Sequence, residues 1–451
     1  MMNIVLRNAS VITGDGTTHL PRADVLVRCG EIADIDISGC LHKNLGDSVD
    51  VVDCSECTII PGIINAHAHG CIHGPSMPSG SVSLKVSEVE HHRNRHLLEG
   101  TTTLLNVCGL AFPDEIDDGS ATSHPMDIHV STAHTKSNIQ AALSIDGAGL
   151  SARHVDGEID RLLAQGAKAL GEVGGGQTLG GGAQEYRFIP EAIRLATGLK
   201  IDPSIARRLK NAIVGRHLDP QAGVPDEELQ TILDASGLGM TRAEKIRSIV
   251  INSVMPSVSL ALTGFEEIAR QSSCVGYPAI FHNAAPTASL LIALVEQYPA
   301  AQIVAGHSNH PMFLPDEAVE VARKLRDRGA VIDVSTLDCI STRWRNDAVN
   351  FDALIGSGLV DTISTDFAGG HWDGILEAIH RIIRKKQMSA PAAIALATGN
   401  VSRTFPQLAG DRGLIEKGKR ADIVVADSAN LGRVRDVFIA GRMVVRNGRI
   451  L

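Results

Sequence analysis

Between residues 59 and 400 the chain repeats one pattern: a short apolar run, a turn, a helical stretch, then another run. The runs fall at 58–66, 102–107, 128–133, 167–172, 279–282, 302–306, 330–335 and 362–365. Short apolar runs alternating with helices are the mark of buried parallel strands joined by crossover helices. Eight such units is the count of a (β/α)8 barrel; an open doubly wound sheet is the alternative. The helices carry their own stop signals. One running through Leu97 and Glu99 stops at Gly100, and one starting at Pro315 stops at Gly329. A third starts at Asp373 and places basic residues in its last turn.

The two ends read differently from the middle. Residues 3–58 and 420–451 alternate short apolar pieces with glycine turns such as Gly14-Asp15-Gly16 and Asn447-Gly448, the pattern of antiparallel sheet. Neither end can bury a core alone. They are expected to pair into one small β-sandwich domain, residues 1–58 plus 401–451, with the barrel of 59–400 inserted between them. The fourth and fifth runs are separated by a long segment, about 173–277, with helical periodicity near 189–198, 203–214, 226–235, 241–250 and 258–271. It is expected to form a helical excursion at the barrel mouth.

Composition narrows the partners. A chain that is 44% hydrophobic and 21% charged has material for a large core. A net charge of −9 and 3% aromatic content exclude nucleic acid as the main partner, because both phosphate contact and base stacking lack their residues. The first residues show no basic region followed by an apolar core. No stretch is expected to reach the roughly 18 apolar residues that span a bilayer, so no membrane role is expected. The eight cysteines are scattered, which suits reduced thiols and a cytoplasmic location. Cys54-Ser55-Glu56-Cys57 has no second pair to complete a zinc site.

Barrel chemistry sits at the C-terminal ends of strands. The first run ends in Asn65-Ala66-His67-Ala68-His69-Gly70, and the i, i+2 spacing aims both imidazoles to one side. The fourth ends in Gly171-Glu172, the fifth in Phe281-His282, the sixth in Gly306-His307-Ser308-Asn309-His310 and the eighth in Thr365-Asp366. His67, His69, Glu172, His282, His307 and Asp366 thus share one rim, and burying them together without a cation is costly. Imidazole and carboxylate donors suit zinc, manganese or iron(II). Lys168 has the strand parity of Glu172 but lies roughly 13 Å deeper at 3.3 Å per residue, so Glu172 alone reaches the mouth. His134 and His371 stand near strand ends, as substrate contacts or as ordinary structural and surface histidines. His91, His92 and His96 share a helical face and are expected to be solvated. The glycine-rich stretch 174–182 lacks the Gly-Lys-Ser/Thr of a phosphate loop and reads as a mobile or closely packed loop beside Glu172.

With these residues in place the chain resembles the amidohydrolase superfamily, metal-dependent hydrolases built on a distorted barrel. The resemblance rests on Pro61-Gly62-Ile63-Ile64-Asn65-Ala66-His67-Ala68-His69, on His282, His307 and Asp366, and on the segment 410–425; it spans nearly the whole chain. It implies a distorted TIM-like (β/α)8 barrel inserted into a small β-sandwich, the arrangement of the family's cyclic-amide branch. It also implies two divalent metal ions, zinc first, with Fe2+ or Mn2+ tolerated. One would be held by His67, His69 and Asp366, the other by His282 and His307, with Glu172 bridging and Asp366 carrying the proton. Many binuclear members bridge with a carboxylated lysine; a glutamate here is similar to enamidase, as is Thr132-Ala133-His134-Thr135. Deaminase relatives carry a Glu three residues after the fifth-strand histidine, where this chain has Ala285. The implied activity is hydrolysis of a cyclic amide or related C–N bond in a small-molecule substrate. A deaminase, or a lactone or N-acyl hydrolase, is the alternative within the superfamily, and a catalytically inactive scaffold the alternative outside catalysis. A cytoplasmic homo-oligomer, dimer or tetramer, completes the expectation.

Overall fold

The computed structural model describes residues 3–38, 49–117, 119, 123–174, 179, 182–337, 347–367 and 373–451. Five strands open the chain: β1 (Ile4–Ile12), β2 (His19–Arg28), β3 (Glu31–Asp36), β4 (Asp50–Asp53) and β5 (Cys57–Pro61). Gly62 then turns the backbone into the barrel strands. These are β6 (Ile63–Ala68), β7 (Thr101–Asn106), β8 (Asp127–Val130), β9 (Leu170–Val173), β10 (Pro278–His282), β11 (Gln302–Gly306), β12 (Val331–Ser335) and β13 (Thr362–Ser364). The chain ends in β14 (Ile423–Asp427), β15 (Asn430–Ile439), β16 (Arg442–Arg446) and β17 (Arg449–Ile450).

The barrel strands run parallel in order, as a three-stranded piece β6-β7-β8 and a five-stranded piece β9 to β13. Two seams close them into one nearly complete barrel. At one seam the Asp366 N–H donates to His67 O at 2.9 Å and the His69 N–H to Phe367 O at 2.6 Å. At the other, the Thr132 N–H donates to Ala169 O and the Gly171 N–H to Thr132 O, both at 2.9 Å. Ile64, Ala66, Leu105, Ala169, Ile280 and Val304 fill the barrel with Phe405 and Leu408 in the same buried cluster.

The terminal strands form one nine-stranded sheet in which β5 pairs β1 in parallel and β14 antiparallel. Strand parity lets it serve two cores. Ile423 and Val425 of β14 face a core of the sheet's own, with Ile4, Val25 and Ile59. Val424 and Ala426 face the barrel helices, with Ile375 and Ile379.

The segment between β9 and β10 is helical, but its last two expected helices are one. Ala243–Val275 runs unbroken through Pro256. A proline removes one backbone donor and crowds the turn before it. Packing outweighs that cost here: Ile246, Val250, Val254, Val258, Phe265 and Ile268 are buried along one face. By length and composition this helix could cross a membrane, which corrects the expectation that no stretch qualifies; its buried face makes it a core helix. The helix Val86–Leu98 brings a second correction. Of its three histidines only His91 is exposed, while His96 is fully buried and faces Phe367 at 6.1 Å between ring centroids.

Candidate metal centre

Two irregularities in the barrel strands aim the donors. The pairing of β6 with β7 slips between Asn65 and Ala68, so His67 emerges from a bulge. The pairing of β9 with β10 skips Glu172, since Ile280 faces Gly171 and Phe281 faces Val173. A bulged residue is freed from the ladder and turned out of the sheet, which delivers Glu172 to the mouth. Gly171 makes this feasible. Its φ is +94° and a Cβ there would lie 2.2 Å from Ile280 O, so no other residue fits. His307 and Asp366 also leave their strands through the left-handed region, at φ 35° and 48°.

The six rim residues converge, with Glu172 at their centre. Its Oε2 lies 3.6 Å from His67 Nε2 and 3.4 Å from His69 Nε2. Its Oε1 lies 3.2 Å from His282 Nδ1 and 2.9 Å from His307 Nε2. Asp366 Oδ1 closes the first group, 3.4 Å from His67 Nε2 and 3.6 Å from His69 Nε2. Donors bound about 2.0–2.2 Å from one tetrahedral ion stand roughly 3.3–3.6 Å apart. The first group therefore has the spacing of a coordination shell, and its longer contacts are poor hydrogen bonds.

The polar inventory points the same way. Both ring nitrogens of His67, Nδ1 of His69, Nε2 of His282 and Nδ1 of His307 are buried without a hydrogen-bond partner. Native cores rarely leave so many polar atoms unsatisfied in one place. The donor chemistry fits one or two divalent ions. Burial alone would raise the Glu172 carboxyl, yet His67, His282 and His307 hold it well below the usual range. Burial opposes protonation of His69 and His307 too, but Asp366 and Glu172 push both up to about 9. The donors by themselves thus balance charge with protons that a cation would displace. Asp366 is the most open member, with 18% of its side chain exposed against 2–9% for the others.

Of the other sequence candidates, His134 lies apart from this cluster. Its Nδ1 pairs with Thr132 Oγ1 at 3.0 Å, its ring meets Phe112, and burial followed by the charge of His154 pulls it down to about 4. His371 lies outside the described residues. Lys168 sits half-buried ahead of β9, its N–H donated to Val130 O at 2.9 Å.

Three residues escaped the assignment of roles by sequence. His310 places its ring 5.1 Å from that of His282 and 5.6 Å from that of His307; its signal was a third histidine in the 306–310 stretch. Asp333 stands in the middle of β12 and ties three strands: it accepts from Thr362 Oγ1 and Ser364 Oγ at 2.7 Å and from the His307 N–H at 3.4 Å. Asn65 holds the β6–β13 seam, donating to Thr365 Oγ1 at 2.8 Å. A polar residue inside an apolar run was the available sign for both.

No known protein-family model matches the chain. A 5-methylthioadenosine/S-adenosylhomocysteine deaminase from Caldicellulosiruptor saccharolyticus is 32% identical over 68 residues, 15% of this chain. That match spans 16% of the relative's length. Solved structures agree with nearly the whole chain, among them two enzymes. The β-aspartyl dipeptidase of Fervidobacterium islandicum AW-1 has a TM-score of 0.55 at 15% identity, covering 100% of this chain and 98% of its own. The dihydropyrimidinase of Brevibacillus agri NCHU1002 has a TM-score of 0.53 at 16% identity, covering 100% and 96%. The fold is the amidohydrolase fold that the sequence resemblance implies.

Proposed function

We propose that the chain is a binuclear metal-dependent hydrolase of the amidohydrolase superfamily that opens a cyclic amide or a related C–N bond of a small molecule. The observation that carries this reading is the division of Glu172: one carboxylate oxygen faces His67 and His69, the other faces His282 and His307. His67, His69 and Asp366 would hold one ion and His282 and His307 the other, with Glu172 shared. Zinc is the first choice for these donors, with Fe2+ or Mn2+ compatible. Such ions supply Lewis-acid polarisation and a water of lowered pKa.

The chain's own residues supply the rest. Asp366 is buried enough to act in a dry site and open enough to meet water. It takes the proton from attacking water and passes it to the leaving nitrogen. The fold match to a dihydropyrimidinase supports a cyclic substrate. The six cysteines among the described residues are free thiols, which supports a reducing, cytoplasmic setting, and a homo-oligomer is the proposed assembly.

The short deaminase match favours a second reading, deamination of a purine-like ring. Ala285, where the resemblance puts a glutamate in deaminases, weighs against it. The two separate in one assay. Metal-reconstituted protein is offered cyclic amides, imides and ureides beside an adenosine series. Ring opening supports the first reading; ammonia release from the adenosine series alone replaces it with the second.

A further inference from the structure

We infer that the substrate carries a small uncharged apolar substituent, methyl to ethyl in size, held in a blind pocket beside Glu172. The inference rests on the proposed hydrolase reading and narrows its substrate class. The pocket, about 20 Å³, has Glu172 in its lining. One wall is a face of the helix Lys136–Ile145, set by Asn138, Ala142 and Ile145 at i, i+4 and i+7. Ala261 of the helix Ala243–Val275 lies opposite, and Leu110 and Ala133, from the loops after β7 and β8, line the rest of the space. The two helices are tied together: Glu267 accepts from the Ser137 N–H at 3.2 Å and from Ser137 Oγ at 2.8 Å. The helical excursion therefore builds a wall of the proposed active site.

Size and polarity fix the occupant. A volume of 20 Å³ is just above the roughly 10–15 Å³ that one water-sized group needs. Among the described residues the lining holds no charged side chain besides Glu172. One N–H of the Asn138 amide is engaged by Thr135 Oγ1 at 2.9 Å. An anionic group would be repelled by Glu172, and a cationic one would find that carboxylate already held by His282 and His307. A methyl group meets neither obstacle.

The test is calorimetric binding, with hydrolysis followed in parallel, of succinimide, 2-methylsuccinimide and 2-phenylsuccinimide to the metal-loaded protein. The methyl compound should bind about four-fold tighter than succinimide, the gain of one buried methyl, and the phenyl compound should be rejected. Ala142→Val should erase the methyl preference, and Ile145→Ala should admit the phenyl compound. The wild-type ranking decides the matter even if neither variant folds. Ranked binding without turnover keeps the pocket and removes the cyclic-imide hydrolase reading. Turnover with equal binding of all three, or no binding of any, overturns the pocket.

Discussion

The barrel carries buried charge at both ends, and the two clusters are built on opposite rules. At the C-terminal mouth two carboxylates, Glu172 and Asp366, face four imidazoles, several of whose nitrogens have no partner. At the N-terminal end Asp127, the first residue of β8, receives Arg412 Nη1 and, at 2.8 Å, Arg420 Nη1. Arg412 also reaches Asp411 at 2.7 Å, and Arg420 reaches Asp422 at 3.1 Å. Guanidinium is charged at every working pH and presents fixed donors; an imidazole is charged only if it takes a proton. Acids matched by arginine have their counter-charge within the protein and lock the barrel floor to the terminal sheet. Acids matched by histidine ask for a cation. The contrast agrees with the general division of labour in such barrels, stability below and chemistry above.

The sharpest way to break the comparison is at Asp366. Asp366→Asn keeps an oxygen donor and removes the proton carrier. Turnover should fall by a factor of about 10² to 10⁴ while most bound metal and the thermal midpoint are kept. Loss of metal with activity rescued by added metal would make Asp366 a ligand alone.

Next in size is the floor cluster. Arg412→Leu leaves Asp127, Asp411 and Asp422 short of a partner. Urea unfolding should report a loss of about 3 kcal/mol, the range for breaking a buried pair, with metal content unchanged. A variant as stable as wild type would strip the floor cluster of its structural role.

A smaller effect separates the clusters by pH. Burial raises the Asp127 carboxyl, but His129 and Arg412 hold it far below its ordinary value. A depressed carboxylate contributes stability above its unfolded pKa of about 3.9 and loses it as pH falls. The raised imidazoles of the mouth behave the other way in chelated protein. With His69 and His307 raised from 6.5 to about 9, their contribution is present below pH 6.5 and lost as pH rises through 9. Thermal midpoints of chelated protein should therefore fall at both extremes, and Asp127→Asn should flatten the acid limb only. An alkaline limb that Asp127→Asn also removes would contradict the assignment.

Much of the mouth was legible because each donor follows an apolar run, so His67, His69, His282, His307 and Asp366 announce strand ends directly. Glu172 was legible as a strand end but not as a bulge. Simple alternation put Lys168 on its face, whereas the structure starts β9 only at Leu170 and frees Glu172 through Gly171. The floor was illegible as chemistry. Its arginines read as part of a C-terminal motif, and Asp127 lies 285 positions from Arg412 and 293 from Arg420, beyond the reach of any local pattern. The expected gap between 241–250 and 258–271, where Pro256 lies, fails for the reverse reason. A proline signals a helix break locally, and the buried face that overrides it belongs to tertiary packing.

The central claim is that Glu172 divides its two oxygens between two ions. Crystals of zinc-loaded protein, measured at the zinc absorption edge, test it most directly. The account predicts two anomalous peaks per chain: one among His67, His69 and Asp366, the other between His282 and His307, with Glu172 touching both and Lys168 unmodified. A single peak, a carboxylated Lys168 as the bridge, or two peaks with Glu172 bound to neither would contradict it.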